Sequence, residues 1–158
     1  MTDSTALRIE FASADDAHLV HRIMRDAYAE YDGVLTPPSG AVSETVEDVR
    51  AAMAKGGAVL AWDGAEAVGS ARYEWHPDYL YVGRVAVIPA YRGQGIGSAL
   101  MRRIEELARD QGCGEIRLGV RMALPGNLAF YQSLGYEVVK IEPHPKGGDD
   151  VAWMGKRL

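Results

Sequence analysis

The chain has 158 residues, 47% of them hydrophobic and 25% charged, material for one domain (residues 1–158) with a real core and too apolar a balance for disorder. No apolar run approaches the roughly 20 residues of a membrane-spanning helix, and Met1-Thr2-Asp3-Ser4-Thr5 lacks the basic and apolar stretches of a secretory signal. A net charge of −5 excludes a general nucleic-acid binder. The single cysteine, Cys113, excludes an intrachain disulfide and fits a reducing, cytoplasmic compartment.

Leu7 to Phe11 alternates apolar and polar residues, as a half-buried strand does. Ser13, with Asp15 and Asp16 behind it, opens a helix whose apolar side includes Leu19, Val20, Ile23, Met24, Ala27, Tyr28 and Tyr31. Asp32 to Gly40, with two prolines and two glycines, is irregular. Ser43-Glu44-Thr45 starts a second helix along Val46, Val49 and Met53, which Gly56-Gly57 stops. Ala58–Trp62 and Ala67–Tyr73 flank Asp63-Gly64, a hairpin signal. A third strand runs from about Tyr79 to Val87 and is apolar over much of its length, as a central strand is.

A glycine-rich turn, Arg92-Gly93-Gln94-Gly95-Ile96-Gly97, then feeds a helix with the stripe Ile96, Leu100, Met101, Ile104, Leu107 and Ala108. Ile116 to Val120 is a short strand, Asn127 caps a helix reaching Leu134, and Tyr136–Ile141 with Val151–Leu158 form a closing hairpin. The order β-α-α-β-β-β-α-β-α-β-β predicts a mixed α/β fold, its central sheet mostly antiparallel with helices on both faces.

The glycine turn is the most informative segment. A strand that passes through glycines into a helix aims several backbone N–H groups at one point, and the helix dipole makes that point a phosphate site. The familiar alternatives fail, because Gly97 is followed by Ser98-Ala99 rather than Lys-Ser or Lys-Thr, and Ser98 breaks the dinucleotide fingerprint. A tight turn that simply needs glycines is the competing reading.

Two segments together resemble the GCN5-related N-acetyltransferases (GNAT). The family signature is Arg or Gln, two residues, Gly, one residue, then Gly or Ala, and Arg92, Gly95 and Gly97 match it. Val85-Ala86-Val87-Ile88-Pro89-Ala90-Tyr91 looks like the preceding strand and its exit, and Asn127 to Tyr136 resembles a later helix-to-strand segment. The resemblance implies acetyl-CoA as co-substrate. Its pyrophosphate would be cradled by Arg92, Gly93, Gln94, Gly95, Ile96, Gly97 and Ser98, and its pantetheine arm would pair with Val85, Ala86 and Val87 where two central strands splay. Asn127 would contact that arm from the other side, and Tyr131 would protonate the departing thiolate as general acid. The resemblance implies no metal, an amine acceptor (a small molecule or a peptide), and frequent dimers.

The general base has no such assignment. Many relatives place a glutamate two residues before the position of Val85, and here that residue is Gly83. Glu74, His76 and bulk water are the alternatives. Tyr28, Glu30, Tyr31 and Glu44 are candidates for gripping the acceptor, and the net acidity favours a cationic one. The absent glutamate also motivates a second reading, a non-catalytic acyl-CoA-binding module. His18 and His21 share a helix face but have no third ligand nearby to make a metal site.

Overall fold

The computed structural model describes residues 7–31, 35 and 39–158. Asp32–Val34 and Thr36–Pro38, in the stretch expected to be irregular, and the first six residues lie outside the described ones. The elements follow in the order β1 (Leu7–Phe11), α1 (Ala17–Tyr28), α2 (Val46–Met53), β2 (Gly56–Asp63), β3 (Glu66–Trp75), β4 (Leu80–Val87), α3 (Ile96–Asp110), β5 (Glu115–Arg121), α4 (Pro125–Ser133), β6 (Glu137–Pro143) and β7 (Asp150–Arg157), with short 3₁₀ turns between. This is the predicted order.

One seven-stranded sheet runs β1-β2-β3-β4-β5-β7-β6. Every neighbouring pair is antiparallel except β4 and β5. Alternation along the strands divides the core into two layers. Ala58 and Leu60 face α1 and α2, joining Val20, Ile23, Met24, Val49 and Met53. Val59 and Ala61 face the other way, toward Leu100, Met101 and Ile104 of α3. Leu128 and Tyr131 of α4, with Leu134 just after it, pack on that second layer. The helices therefore cover both faces, as expected.

Local details depart from the sequence reading in several places. Gly56 and Gly57 belong to β2 rather than to a helix stop, since a Cβ on Gly56 would fall 2.1 Å from the Tyr73 carbonyl oxygen across the hairpin. The hairpin loop is Gly64-Ala65, because Asp63 already pairs with Glu66. Asn127 is not a helix cap: α4 begins with Pro125 at its first position and Leu124 as its N-cap, and proline suits the place where an N–H has no helical partner.

Helix α3 also buries a carboxylate that its apolar stripe does not announce. Glu105 is 4% exposed, accepting the Tyr136 hydroxyl at 2.8 Å and the Lys156 ammonium at 3.1 Å. A charge at that depth persists only with such partners. Leu107, expected on the stripe, is half-buried instead. Cys113 fills a half-buried place against the core and donates to the Glu115 carbonyl at 3.4 Å.

Candidate active site

The site begins where the sheet opens. Strands β4 and β5 pair only at Leu80–Ile116 and Tyr81–Arg117. Beyond them β4 keeps its β3 partners while β5 follows β7, so the β5-facing edge of Val82 to Val87 has no strand beside it. The opening is accentuated by an irregularity. Arg72 pairs with Gly83 and Ser70 with Ala86, which leaves Arg84 and Val85 together opposite Ala71. Arg84 sits at φ +52°, in the left-handed region that side-chain-bearing residues seldom adopt. A bulge of this kind bends its strand and re-aims side chains, and it clusters near active sites.

Helix α1 holds the bulge from behind. The Tyr28 hydroxyl donates to the Val85 carbonyl at 3.1 Å. Burial raises the Tyr28 pKa to about 12, so it stays a neutral donor. Arg84 is fixed through Glu44, whose carboxylate accepts from Arg72 at 2.8 and 3.0 Å and from Arg84 Nε at 2.6 Å. Burial pushes the Glu44 pKa up, but the two guanidinium groups outweigh it and the net shift is downward.

The glycine turn lies at the other end of the opening. Gly95 is the N-cap of α3 at φ +81°, and Gly93 has φ +77°. The first helical bond there is from Ala99 N–H to the Gly95 carbonyl at 3.0 Å. The N–H groups of Ile96, Gly97 and Ser98 thus lead the helix without internal acceptors, no side chain caps them, and no acidic residue sits in the first turn. This end of a fifteen-residue helix is an anion site by geometry and dipole together.

Opening and turn share one cavity of about 590 Å³. Val85, Ala86, Val87, Arg92, Gly93, Gly95, Ile96, Gly97, Ser98, Asn127 and Tyr131 all line it. Gln94, expected in the same group, does not. The Arg92 side chain is already committed: its guanidinium donates to the Ala27 carbonyl at 2.8 Å and to Glu30 at 2.7 Å. It therefore satisfies the C-terminal end of α1.

Tyr131 stands across the cavity from β4. Its hydroxyl has no hydrogen-bond partner among the described residues. Burial, with the nearby hydroxyls of Tyr28, Tyr81 and Tyr31, holds its pKa far above that of an ordinary tyrosine. Tyr81 and Tyr31, also in the cavity wall, are raised chiefly by burial as well. Sequence reasoning missed Tyr81. Its signal was a tyrosine on the apolar strand two residues before Gly83, and only the fork reveals its place.

The other expected residues are elsewhere. Glu74 and His76 lie outside the cavity wall, and His76 stacks on Tyr79 at 4.5 Å. Glu44 is engaged by its two arginines and Glu30 by Arg92. A Cβ on Gly83 would touch only Tyr81, at an ordinary 3.4 Å, so packing does not require glycine there. Among the described residues no three His, Cys, Asp or Glu side chains group as metal ligands, and no helix is long and apolar enough to cross a membrane.

A strand edge freed by splaying, beside an uncapped helix N-terminus behind a glycine turn, defines a sheet built to take an extended ligand with an anionic end. Residues 20–136 match the acetyltransferase (GNAT) family, and the chain belongs to it. It is 38% identical over 61 residues to the thialysine N-epsilon-acetyltransferase of Bos taurus, a match covering 39% of this chain and 36% of that protein. An acetyltransferase of Sodalis glossinidius is 36% identical over 95 residues, 59% of each chain. The chain thus spans less than two thirds of the length of these relatives. Among solved structures, PaiA N-acetyltransferase from Thermoplasma acidophilum, in complex with coenzyme A, superposes with a TM-score of 0.79 at 18% identity, covering 96% of this chain and 99% of that one. The ribosomal-protein-S18-alanine N-acetyltransferase from Escherichia coli gives 0.75 at 20% identity, covering 96% and 94%. These likenesses establish the GNAT fold.

Proposed function

We propose that the protein is an N-acetyltransferase that moves the acetyl group of acetyl-CoA directly to a primary amine. The observation carrying this reading is the unpaired inner edge of β4 running toward the free amides of Ile96, Gly97 and Ser98. The pantetheine arm is amide-rich and pairs with that edge as an added strand does. Its pyrophosphate meets the turn, where glycines admit backbone to phosphate.

In the reaction the amine nitrogen bonds to the thioester carbon, the carbon–sulfur bond breaks, and coenzyme A leaves as the thiol. Three groups must be served. The carbonyl oxygen gathers negative charge, and N–H groups of the Val85–Val87 segment are its donors. The thiolate needs a proton, and Tyr131, kept protonated by burial and free of other partners, supplies it. The amine must lose a proton, because an alkylamine of pKa roughly 10 is mostly charged at neutral pH. Neither Glu74 nor His76 stands in the cavity, so water is its acceptor in this reading.

The domain spans residues 1–158 in this proposal, works in the cytoplasm and needs no metal. Its edge strand β6, with Val139 74% and Ile141 52% exposed, suits pairing with a second copy. The glycine at position 83 favours one rival, an acyl-CoA-binding module without turnover. A thermal melt with acetyl-CoA and a thiol-release assay with amines separate them. Stabilisation of about 2.7 kcal/mol at a hundred times Kd together with release supports the enzyme. Stabilisation without release supports the module, and neither effect refutes both.

A further inference from the structure

A second cavity, of about 720 Å³, adjoins the first and shares Ser39, Tyr81, Arg84, Gly119 and Arg121 with it. Its remaining wall comes mainly from the 3₁₀ turn before α2 and from the β6–β7 connection, which contributes His144 and Lys146. None of the glycine-turn residues lines it, and its size is that of a small-molecule site. Four of its lining residues are Arg84, Arg121, His144 and Lys146, and among the described residues none of the lining is acidic.

Pairing behind the wall does not cancel this charge. Arg121 is neutralised by Asp149, bound at 2.5 and 2.7 Å. Glu44, however, answers two arginines with one carboxylate. Arg72 takes both of its oxygens, and Arg84 is held by Nε alone, so the group carries a surplus positive charge. Lys146 has no carboxylate partner among the described residues. His144 accepts the Lys146 backbone N–H at Nδ1, at 3.1 Å, which leaves its hydrogen on Nε2 as a further donor. The chain-wide charge of −5 does not decide the matter, since charges beyond about 8 Å are screened at physiological salt. Arg84, whose backbone is left-handed, lines both cavities.

We infer that the acceptor is a small amine carrying an oxyanion group, carboxylate or phosphate, which Arg84, His144 and Lys146 hold while its amine reaches the fork near Tyr81. This rests on the acetyl-transfer reading and reverses the cationic acceptor that net charge suggests. Short ω-amines ending in carboxylate, phosphate, methyl or ammonium, and α-amino acids beside their decarboxylated amines, are compared by thiol release with acetyl-CoA. The oxyanion-bearing members are expected to lead in kcat/KM by about tenfold, the scale of one charge-assisted hydrogen bond. Which of carboxylate and phosphate leads tells the two sources apart. Lys146→Glu, and independently Arg84→Gln, are expected to erase most of that lead, and Lys146→Glu to keep the acetyl-CoA thermal shift. A lead for methyl- or ammonium-ended amines, or a lead untouched by both substitutions, overturns the inference. Stabilisation by acetyl-CoA without release from any oxyanion-bearing amine also overturns it. Loss of stabilisation and release together in the unaltered protein refutes the underlying acetyl-transfer reading instead.

Discussion

The hydroxyl of Tyr28 on α1 donates to the carbonyl of Val85 on β4 at 3.1 Å, tying a helix to the one irregular point of the central strand. Two strands and a helix therefore set the shape of the cavity jointly. Tyr28→Phe leaves a buried carbonyl without its donor. The expected loss is about 1 kcal/mol, or roughly 2–4 °C in Tm for a chain of this size. Turnover is expected to fall as well, because the bulge loosens. Calorimetry and thiol release check both, and a variant with unchanged melting and turnover removes Tyr28 from this role.

Glu44 makes the protein sensitive to acid. Its pKa is depressed in the folded state, so its contribution is fully present above the unfolded value and is lost as pH falls through the folded one. With a reference value of 4.5, melting temperature is expected to decline below about pH 5. In Glu44→Gln the two arginines lose their shared counter-charge. That variant is expected to be less stable at neutral pH by about 3 kcal/mol and to show a flatter acid limb. Parallel melts across that range decide the point.

Gly95 takes φ +81° at the entry to α3. Alanine there is strained by about 1 kcal/mol, and the turn it distorts is the one proposed to hold the pyrophosphate. Gly95→Ala is thus expected to lower stability modestly and acetyl-CoA affinity more, by about tenfold or beyond. Calorimetric titration with acetyl-CoA separates the two effects.

Tyr131→Phe keeps the ring and removes the proton. The expected fall in kcat is about a hundredfold, with the acetyl-CoA thermal shift retained. Since burial raises its pKa, the unaltered protein is expected, on the proposed reading, to show no alkaline loss of activity below pH 10, the ordinary value for tyrosine. A pH–rate profile tests this directly. An unchanged kcat in the variant removes Tyr131 from the chemistry.

Much of this was legible in the chain, for local reasons. Periodicity marked the helices and strands, and Arg92, Gly95 and Gly97 marked the turn, because each signal lies within a few neighbouring residues. What stayed hidden depends on residues far apart. The bulge at Arg84 exists only relative to Ala71, and nothing in Gly83-Arg84-Val85 alone announces it. Glu44 looked like an acceptor contact until Arg72 and Arg84, 28 and 40 residues away, were found upon it. Arg92 looked like a phosphate ligand, and tertiary packing gave its side chain to Ala27 and Glu30. The α4 start moved from Asn127 to Pro125 because a proline N1 outweighed a cap-forming side chain.

Amide NMR of ¹⁵N-labelled protein titrated with coenzyme A is the most direct measurement. Saturable, large shifts are expected for the backbone N–H groups of Ile96, Gly97 and Ser98 and along Val85 to Val87. Binding that leaves those amides unmoved while shifting others contradicts the account.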